Sequence, residues 1–185
     1  MSRGAPEAAL RAPVARFLEG RGFRVWADPD GRDFLDVVAA NGPEVGLVEL
    51  KVADWKGVRV QAVARRALAD WVAVALPSEG AIDRLAASLR GPVAPRIGLW
   101  LVRHDEVEER RAPRALDPPP DGSEAAEARR AFRALVRAAL DGVVPPEVRW
   151  GGGARRTGRG TRYRLEEFGG RDAATAPEPS PPGSG

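Results

Sequence analysis

Apolar residues follow two different periods along most of the chain. Residues 71–76 and 97–102 are almost continuously apolar, which is typical of strands buried on both faces. Residues 58–68 and 77–89 instead carry apolar residues at helical spacing. The full pattern predicts the order helix, strand, strand, strand, helix, strand, helix, strand, edge strand, helix. That order is typical of an α/β (α+β) domain, with a mixed central sheet flanked by helices.

Caps and turns mark the remaining predicted elements. Residues 6–20 form the predicted first helix, and residues 123–140 form the last, with Ser123 at its N-cap. Short strands are predicted at residues 22–26 and, as an exposed edge, at residues 107–113. The chain then divides into a core, a C-terminal helix with a basic arm, and a tail of disordered composition, at residues 1–115, 116–168 and 169–185.

Two apolar runs on either side of residues 41–43 are interrupted by charged residues. Both runs are rich in Val and Leu, and Asn-Gly-Pro between them favours a turn, so they predict a β-hairpin. Because side chains alternate between the faces of a strand, Glu49 and Lys51 are expected to point the same way. A turn at the centre of the hairpin sets Asp36 opposite Glu49. The residues expected on the other face are Val48, Leu50 and Val52.

The facing acids predict a metal site. Carboxylates directly opposite each other repel, and charges among apolar neighbours are costly unless they are compensated. A divalent cation would compensate Asp36 and Glu49, with Lys51 beside them. Asp33 is the alternative first acid, and an edge hairpin with solvated charges is the alternative for the whole stretch. The chain has no Cys and a single His, so its ligands are expected to be oxygens, which favour Mg²⁺ or Mn²⁺.

With these residues the chain resembles the PD-(D/E)XK nuclease superfamily, which has the restriction-endonuclease-like fold. The family pattern is a helix, an acid at the second strand, (D/E)xK on the next strand, and then a helix and a strand. Asp36 matches the first acid and Glu49-Leu50-Lys51 the second motif, although Leu35 stands where the family often has proline. The later IGLWLVR and GGG-RR-YR stretches are similar to a bacterial branch described only as nuclease- or phosphodiesterase-like.

The resemblance implies a metal-dependent enzyme that hydrolyses phosphodiester bonds. Asp36, Glu49 and the backbone carbonyl of Leu50 are the implied metal ligands, with Glu7 as a further ligand or a contact behind them. Lys51 is expected to orient or deprotonate the attacking water, or to neutralise charge in the transition state. Gln61 is expected to position water or a phosphate oxygen. For Glu7 and Gln61 the alternative is an ordinary polar residue near the start of a helix.

A basic segment follows the last predicted helix. Residues 149–164 contain six arginines and no acid, and glycines make the segment pliable. Phosphate backbones attract such segments, so it is a candidate nucleic-acid-binding arm. The alternative is a flexible tail that aids solubility. The arginines assigned to nucleic-acid binding are Arg155, Arg156, Arg159, Arg162 and Arg164.

These expectations combine into a metal-dependent nuclease that acts on DNA rather than RNA, in repair, recombination or defence. The alternatives are a catalytically inactive nucleic-acid-binding module of the same fold and a protein-interaction domain. No apolar run approaches the roughly 20 residues that a membrane span needs, and the start lacks the apolar region of a signal peptide. A cytoplasmic protein without a membrane partner is therefore expected, and a homodimer is left open.

Overall fold

A computed structural model of the chain describes residues 5–27, 35–90, 96–141, 155–157 and 160–162, with the backbone alone for residues 5–6 and the last two segments. Its helices are α1 (Ala5–Glu19), α2 (Trp55–Arg65), α3 (Glu79–Ser88) and α4 (Glu124–Leu140). The strands of its main sheet are β1 (Arg24–Ala27), β2 (Val37–Asn41), β3 (Glu44–Leu50), β4 (Trp71–Leu76), β5 (Gly98–Arg103) and β6 (Glu106–Arg111). Strands β7 (Arg155–Thr157) and β8 (Gly160–Arg162) pair as a second, two-stranded sheet.

The main sheet is mixed, and its strands lie in chain order from β1 to β6. Strands β3, β4 and β5 are parallel, whereas β1, β2 and β6 pair with their neighbours in antiparallel fashion. Parallel neighbours need a crossover between them, and helices α2 and α3 supply the two crossovers. The mixed sheet flanked by helices confirms the fold class predicted from the sequence.

The helices cover both faces of the sheet. Leu10, Val14 and Leu18 of α1 join the buried cluster that contains Val48 and Leu50 of β3. Side chains from α2, α3 and α4 join the cluster on the other face, which contains Val45 and Leu47 of the same strand. The alternation of odd and even positions along β3 therefore directs its side chains into two separate cores. Glu49 shares the odd positions with Val45 and Leu47, so it faces the layer of α2.

The start of α2 differs from the sequence prediction, which began this helix at residue 58. Helix α2 begins at Trp55, because the side chain of Asp54 caps it by accepting a hydrogen bond of 2.9 Å from the amide of Gly57. The predicted cap of the last helix is confirmed, since Ser123 accepts from the amide of Ala126 at 3.2 Å. Strands β7 and β8 were not predicted. Among the described helices, none combines the length and apolarity needed to cross a membrane.

Candidate active site

The β2–β3 hairpin has the register predicted from the sequence. Val37 pairs with Val48 and Asn41 with Glu44, which leaves Gly42 and Pro43 as the turn. Gly42 has a φ of 55°, a left-handed conformation that glycine adopts without strain. Extending the same register by one residue sets Asp36, which immediately precedes β2, opposite Glu49 at the carboxyl end of β3. The two acids therefore lie at the same end of the hairpin, where β2 begins and β3 ends.

Asp36 is tied to the end of β3 by its side chain. Its Oδ2 atom accepts a hydrogen bond of 2.7 Å from the amide of Leu50. In a regular strand the amide and the carbonyl of one residue point to the same side, which is the basis for keeping the Leu50 carbonyl as a candidate ligand. Burial raises the pKa of Asp36, while the Leu50 amide and the charge of Lys51 oppose that rise. Asp36 is therefore held beside the last residue of β3.

Glu49 forms a buried ion pair that was not predicted from the sequence. Arg65, the last residue of α2, donates from Nε to Glu49 Oε1 at 2.7 Å, and both residues are only 1% exposed. The other carboxylate oxygen, Oε2, is buried and has no hydrogen-bond partner among the described residues. Burial raises the pKa of Glu49 to about 7, and Asp36 adds to the rise, although the positive charge of Arg65 opposes it.

Lys51 lies just beyond the last residue of β3 and pairs with Glu7 of α1. Its Nζ atom donates to both carboxylate oxygens of Glu7 at 3.1 Å. Glu49, by contrast, pairs with α2, which packs on the opposite face of the sheet from α1. The expectation that Glu49 and Lys51 point the same way was wrong, because the regular alternation of β3 ends at Leu50. The two residues instead connect the end of the strand to both helical layers.

Gln61 is on α2, the same helix that carries Arg65. It is four residues before Arg65, so the two side chains share one side of the helix. Its Oε1 atom is buried and, among the described residues, has no hydrogen-bond partner. Buried acceptors are normally satisfied, by protein, water or a cation. Gln61 Oε1 and Glu49 Oε2 are therefore two acceptors that call for donors or a positive charge at the site.

The candidate metal ligands are oxygen atoms, but they include fewer carboxylates than predicted. No group of three or more His, Asp or Glu residues within the described part of the chain could hold a metal ion. Glu7, the predicted extra ligand, uses both oxygens to accept from Lys51. What remains is Asp36, the Leu50 carbonyl and Glu49 Oε2, an orphaned buried oxygen that a cation would satisfy. Since Arg65 occupies Oε1, Glu49 offers a metal one oxygen rather than two.

For several predicted residues the structure describes either the backbone alone or nothing. Arg155, Arg156 and Arg162 belong to β7 and β8, whose side chains are not described. Arg159, Arg164 and the alternative acid Asp33 lie outside the described residues. Sequence reasoning missed two arginines, Arg11 and Arg65, which are 7% and 1% exposed. Helical spacing could have identified both, because each lies four positions after a predicted site residue. Arg11 follows Glu7, and Arg65 follows Gln61.

The raised pKa of Glu49 predicts an unusual dependence of stability on pH. The folded state holds this proton up to about pH 7, whereas the unfolded chain releases it near the ordinary glutamate pKa of 4.5. Raising the pH through that window therefore lowers the free energy of unfolding, by up to about 3 kcal/mol. Urea unfolding at pH 5 and pH 8 measures the loss, which Glu49→Gln should largely abolish. An equal pH dependence in both proteins would contradict the prediction.

Comparisons with known proteins give little information on function. No protein-family model matches the chain. No curated protein matches it. A solved structure of a protein of unknown function from Silicibacter pomeroyi aligns with a TM-score of 0.47 and 20% identity, over 75% of this chain and 90% of the other. Function is therefore inferred from the residues of the site itself.

Proposed function

We propose that the protein is a divalent-metal-dependent nuclease that hydrolyses phosphodiester bonds, with DNA as its substrate. The observation that carries the proposal is the pairing of Asp36 with Glu49 at the end of β3, next to Lys51. Glu49 holds a buried carboxylate oxygen that has no partner among the described residues. Burying a carboxylate costs folding free energy unless a cation or a hydrogen-bond donor contacts its free oxygen. The sequence motif Glu49-Leu50-Lys51 on a strand end adds the resemblance to PD-(D/E)XK nucleases.

Asp36, the carbonyl of Leu50 and Glu49 Oε2 would hold Mg²⁺ or Mn²⁺, ions that prefer oxygen ligands. When bound, such an ion polarises a phosphate and makes water a stronger nucleophile at neutral pH. The protein groups are already constrained for this purpose. The Leu50 amide fixes Asp36, and the Arg65 guanidinium fixes Glu49 through its other oxygen. Each of the two acids therefore has one carboxylate oxygen fixed by a hydrogen bond.

Lys51 is suited to act on the reacting phosphate. Its ammonium group has three N–H donors, and the contacts with Glu7 use no more than two of them. The remaining donor is available to orient water or to stabilise charge on a phosphate oxygen. Its side chain is 20% exposed, so solvent and substrate have access to it. Gln61, whose Oε1 atom lacks a described partner, is suited to accept a hydrogen bond from water on the α2 side of the sheet.

DNA is favoured as the substrate by the arginine-rich arm at residues 149–164. Guanidinium groups bind phosphates as planar, bidentate donors, and several of them together attract a polyanion. We expect the arm to contribute binding that weakens as salt is raised, independently of the acids in the site.

The proposal predicts that the purified protein cleaves DNA in Mn²⁺ or Mg²⁺ and is inactive in EDTA. Single-stranded DNA, duplex DNA and RNA of the same sequence are compared on denaturing gels, with metal binding measured in parallel by calorimetry. Cleavage without metal, or no cleavage together with no metal binding, would overturn it. Salt-sensitive DNA binding without cleavage would support instead an inactive module of the same fold. The observation favouring that second candidate is the neutralisation of Glu49 by Arg65.

A further inference from the structure

A cavity lies next to the carboxyl-terminal end of α2. Its volume is about 340 Å³, which falls in the range of pockets for small organic ligands. The walls come from the end of α2, the segment before α4 and the first turns of α4. The lining residues are Arg66, Ala67, Arg96, Leu116, Asp117, Pro119, Ala125 and Arg129. None of these residues belongs to the candidate active site.

The cavity carries an excess of positive charge, since three arginines and one acid line it. Arg129 is 4% exposed and donates to the carbonyl oxygens of Arg66 at 2.8 Å and Ala67 at 3.2 Å. Its Nη1 atom lies 3.9 Å from Asp70 Oδ1, so the positive charge left for a ligand is that of Arg66 and Arg96. The guanidinium group of Arg66 makes no hydrogen bond or ion pair with another described residue, so it is available to a ligand. Such a concentration of guanidinium groups in a concave site favours an anion.

The single acid of the cavity does not cancel this charge. Asp117 pairs with Arg96 at 2.6 Å, but its side chain is 84% exposed. Ion pairs that are open to water contribute roughly 0–1 kcal/mol, so a phosphate group would compete well for Arg96. Arg96 also donates to the carbonyl of Ala115 at 3.3 Å, which keeps its guanidinium close to the cavity.

The rest of the lining is apolar and includes buried Leu116 and half-buried Pro119. A ligand that satisfies both parts of the cavity needs an anionic head and a weakly polar body. The geometry points to a phosphomonoester that carries an aromatic ring, as in a nucleoside monophosphate. Its phosphate would lie between Arg66 and Arg96, and its ring would pack on Leu116 and Pro119. This site is separate from the proposed nuclease site and does not depend on that function.

Binding of deoxyadenosine monophosphate, measured by calorimetry in EDTA, tests the inference. We expect saturable one-to-one binding, with weaker binding of inorganic phosphate and no measurable binding of deoxyadenosine. Arg66→Ala and Arg96→Ala should each weaken binding at least tenfold. Both side chains are at least partly exposed, so their removal should leave the fold intact, which circular dichroism checks.

Two further variants separate this cavity from other basic surfaces. Arg130→Ala removes an exposed arginine next to Arg129 that does not line the cavity, and it should bind the nucleotide as the wild type does. Asp36→Asn alters the candidate nuclease site and should also leave binding unchanged. The inference is overturned if the nucleotide does not bind, if Arg66→Ala and Arg96→Ala bind it normally, or if Arg130→Ala or Asp36→Asn weakens binding as much as they do.

Discussion

Replacing Lys51 with methionine is expected to lower metal-dependent cleavage of DNA by about 10²–10⁴-fold. Methionine keeps most of the length and apolar volume of the lysine stem but removes the ammonium group. The loss should therefore fall on the charge and the proton that Lys51 offers to the reacting phosphate or water. Initial rates in saturating Mn²⁺ measure the effect, and calorimetry should show that the variant still binds the metal. Asp36→Asn, which removes a proposed ligand, should lose both cleavage and metal binding.

Lys56 provides the matched control, because it is the other lysine of the chain. It is exposed on the first turn of α2, with its Nζ atom 5.7 Å from the centre of the Trp55 ring. Lys56→Met should cleave at the wild-type rate. Glu7→Gln is the control for stability, because it breaks the same ion pair as Lys51→Met. Wild-type cleavage by Lys51→Met would show that Lys51 serves only in the ion pair with Glu7 and not in catalysis.

The part of the site that was predictable from sequence is the part that depends on local geometry. The Asn41-Gly42-Pro43 turn and the alternation of β3 fix the register of the hairpin within 20 residues of sequence. A single turn position then determines that Asp36 faces Glu49, without any knowledge of the remaining fold. The sequence of helices and strands along the chain followed from periodicity in the same way, because the apolar pattern of each element lies within its own segment.

The partners of these residues were not predictable, because they depend on how helices pack on the sheet. Periodicity identifies the apolar side of α2 but does not specify which β3 residue lies under Arg65. Arg65 was an ordinary basic residue in a chain whose 29 basic residues are almost all arginine. The contact of Glu7 with Lys51 spans 44 residues and requires α1 to cross the end of β3. Both pairs belong to tertiary packing rather than to local pattern.

The buried pair of Glu49 and Arg65 should show strong coupling in stability measurements. Arg65→Met leaves a buried carboxylate without its partner, and such losses cost about 3–5 kcal/mol. The cost should be larger at pH 8 than at pH 5, because Glu49, with a pKa of about 7, can take up a proton at the lower pH. Arg66→Met removes the neighbouring arginine, which is exposed. It should change the free energy of unfolding by no more than about 0.5 kcal/mol.

The double variant Glu49→Leu/Arg65→Met tests whether the fold needs this ion pair. An apolar replacement of a buried ion pair is often neutral or stabilising by about 1–4 kcal/mol, so the double variant should recover most of the stability that Arg65→Met loses. It should nevertheless have no cleavage activity, since it lacks a proposed metal ligand. A double variant that is stable but inactive would mean that the fold does not need the ion pair, whereas cleavage needs the Glu49 carboxylate. If the losses of stability in Glu49→Leu and Arg65→Met instead add up to the loss in the double variant, Arg65 is not the partner that stabilises Glu49.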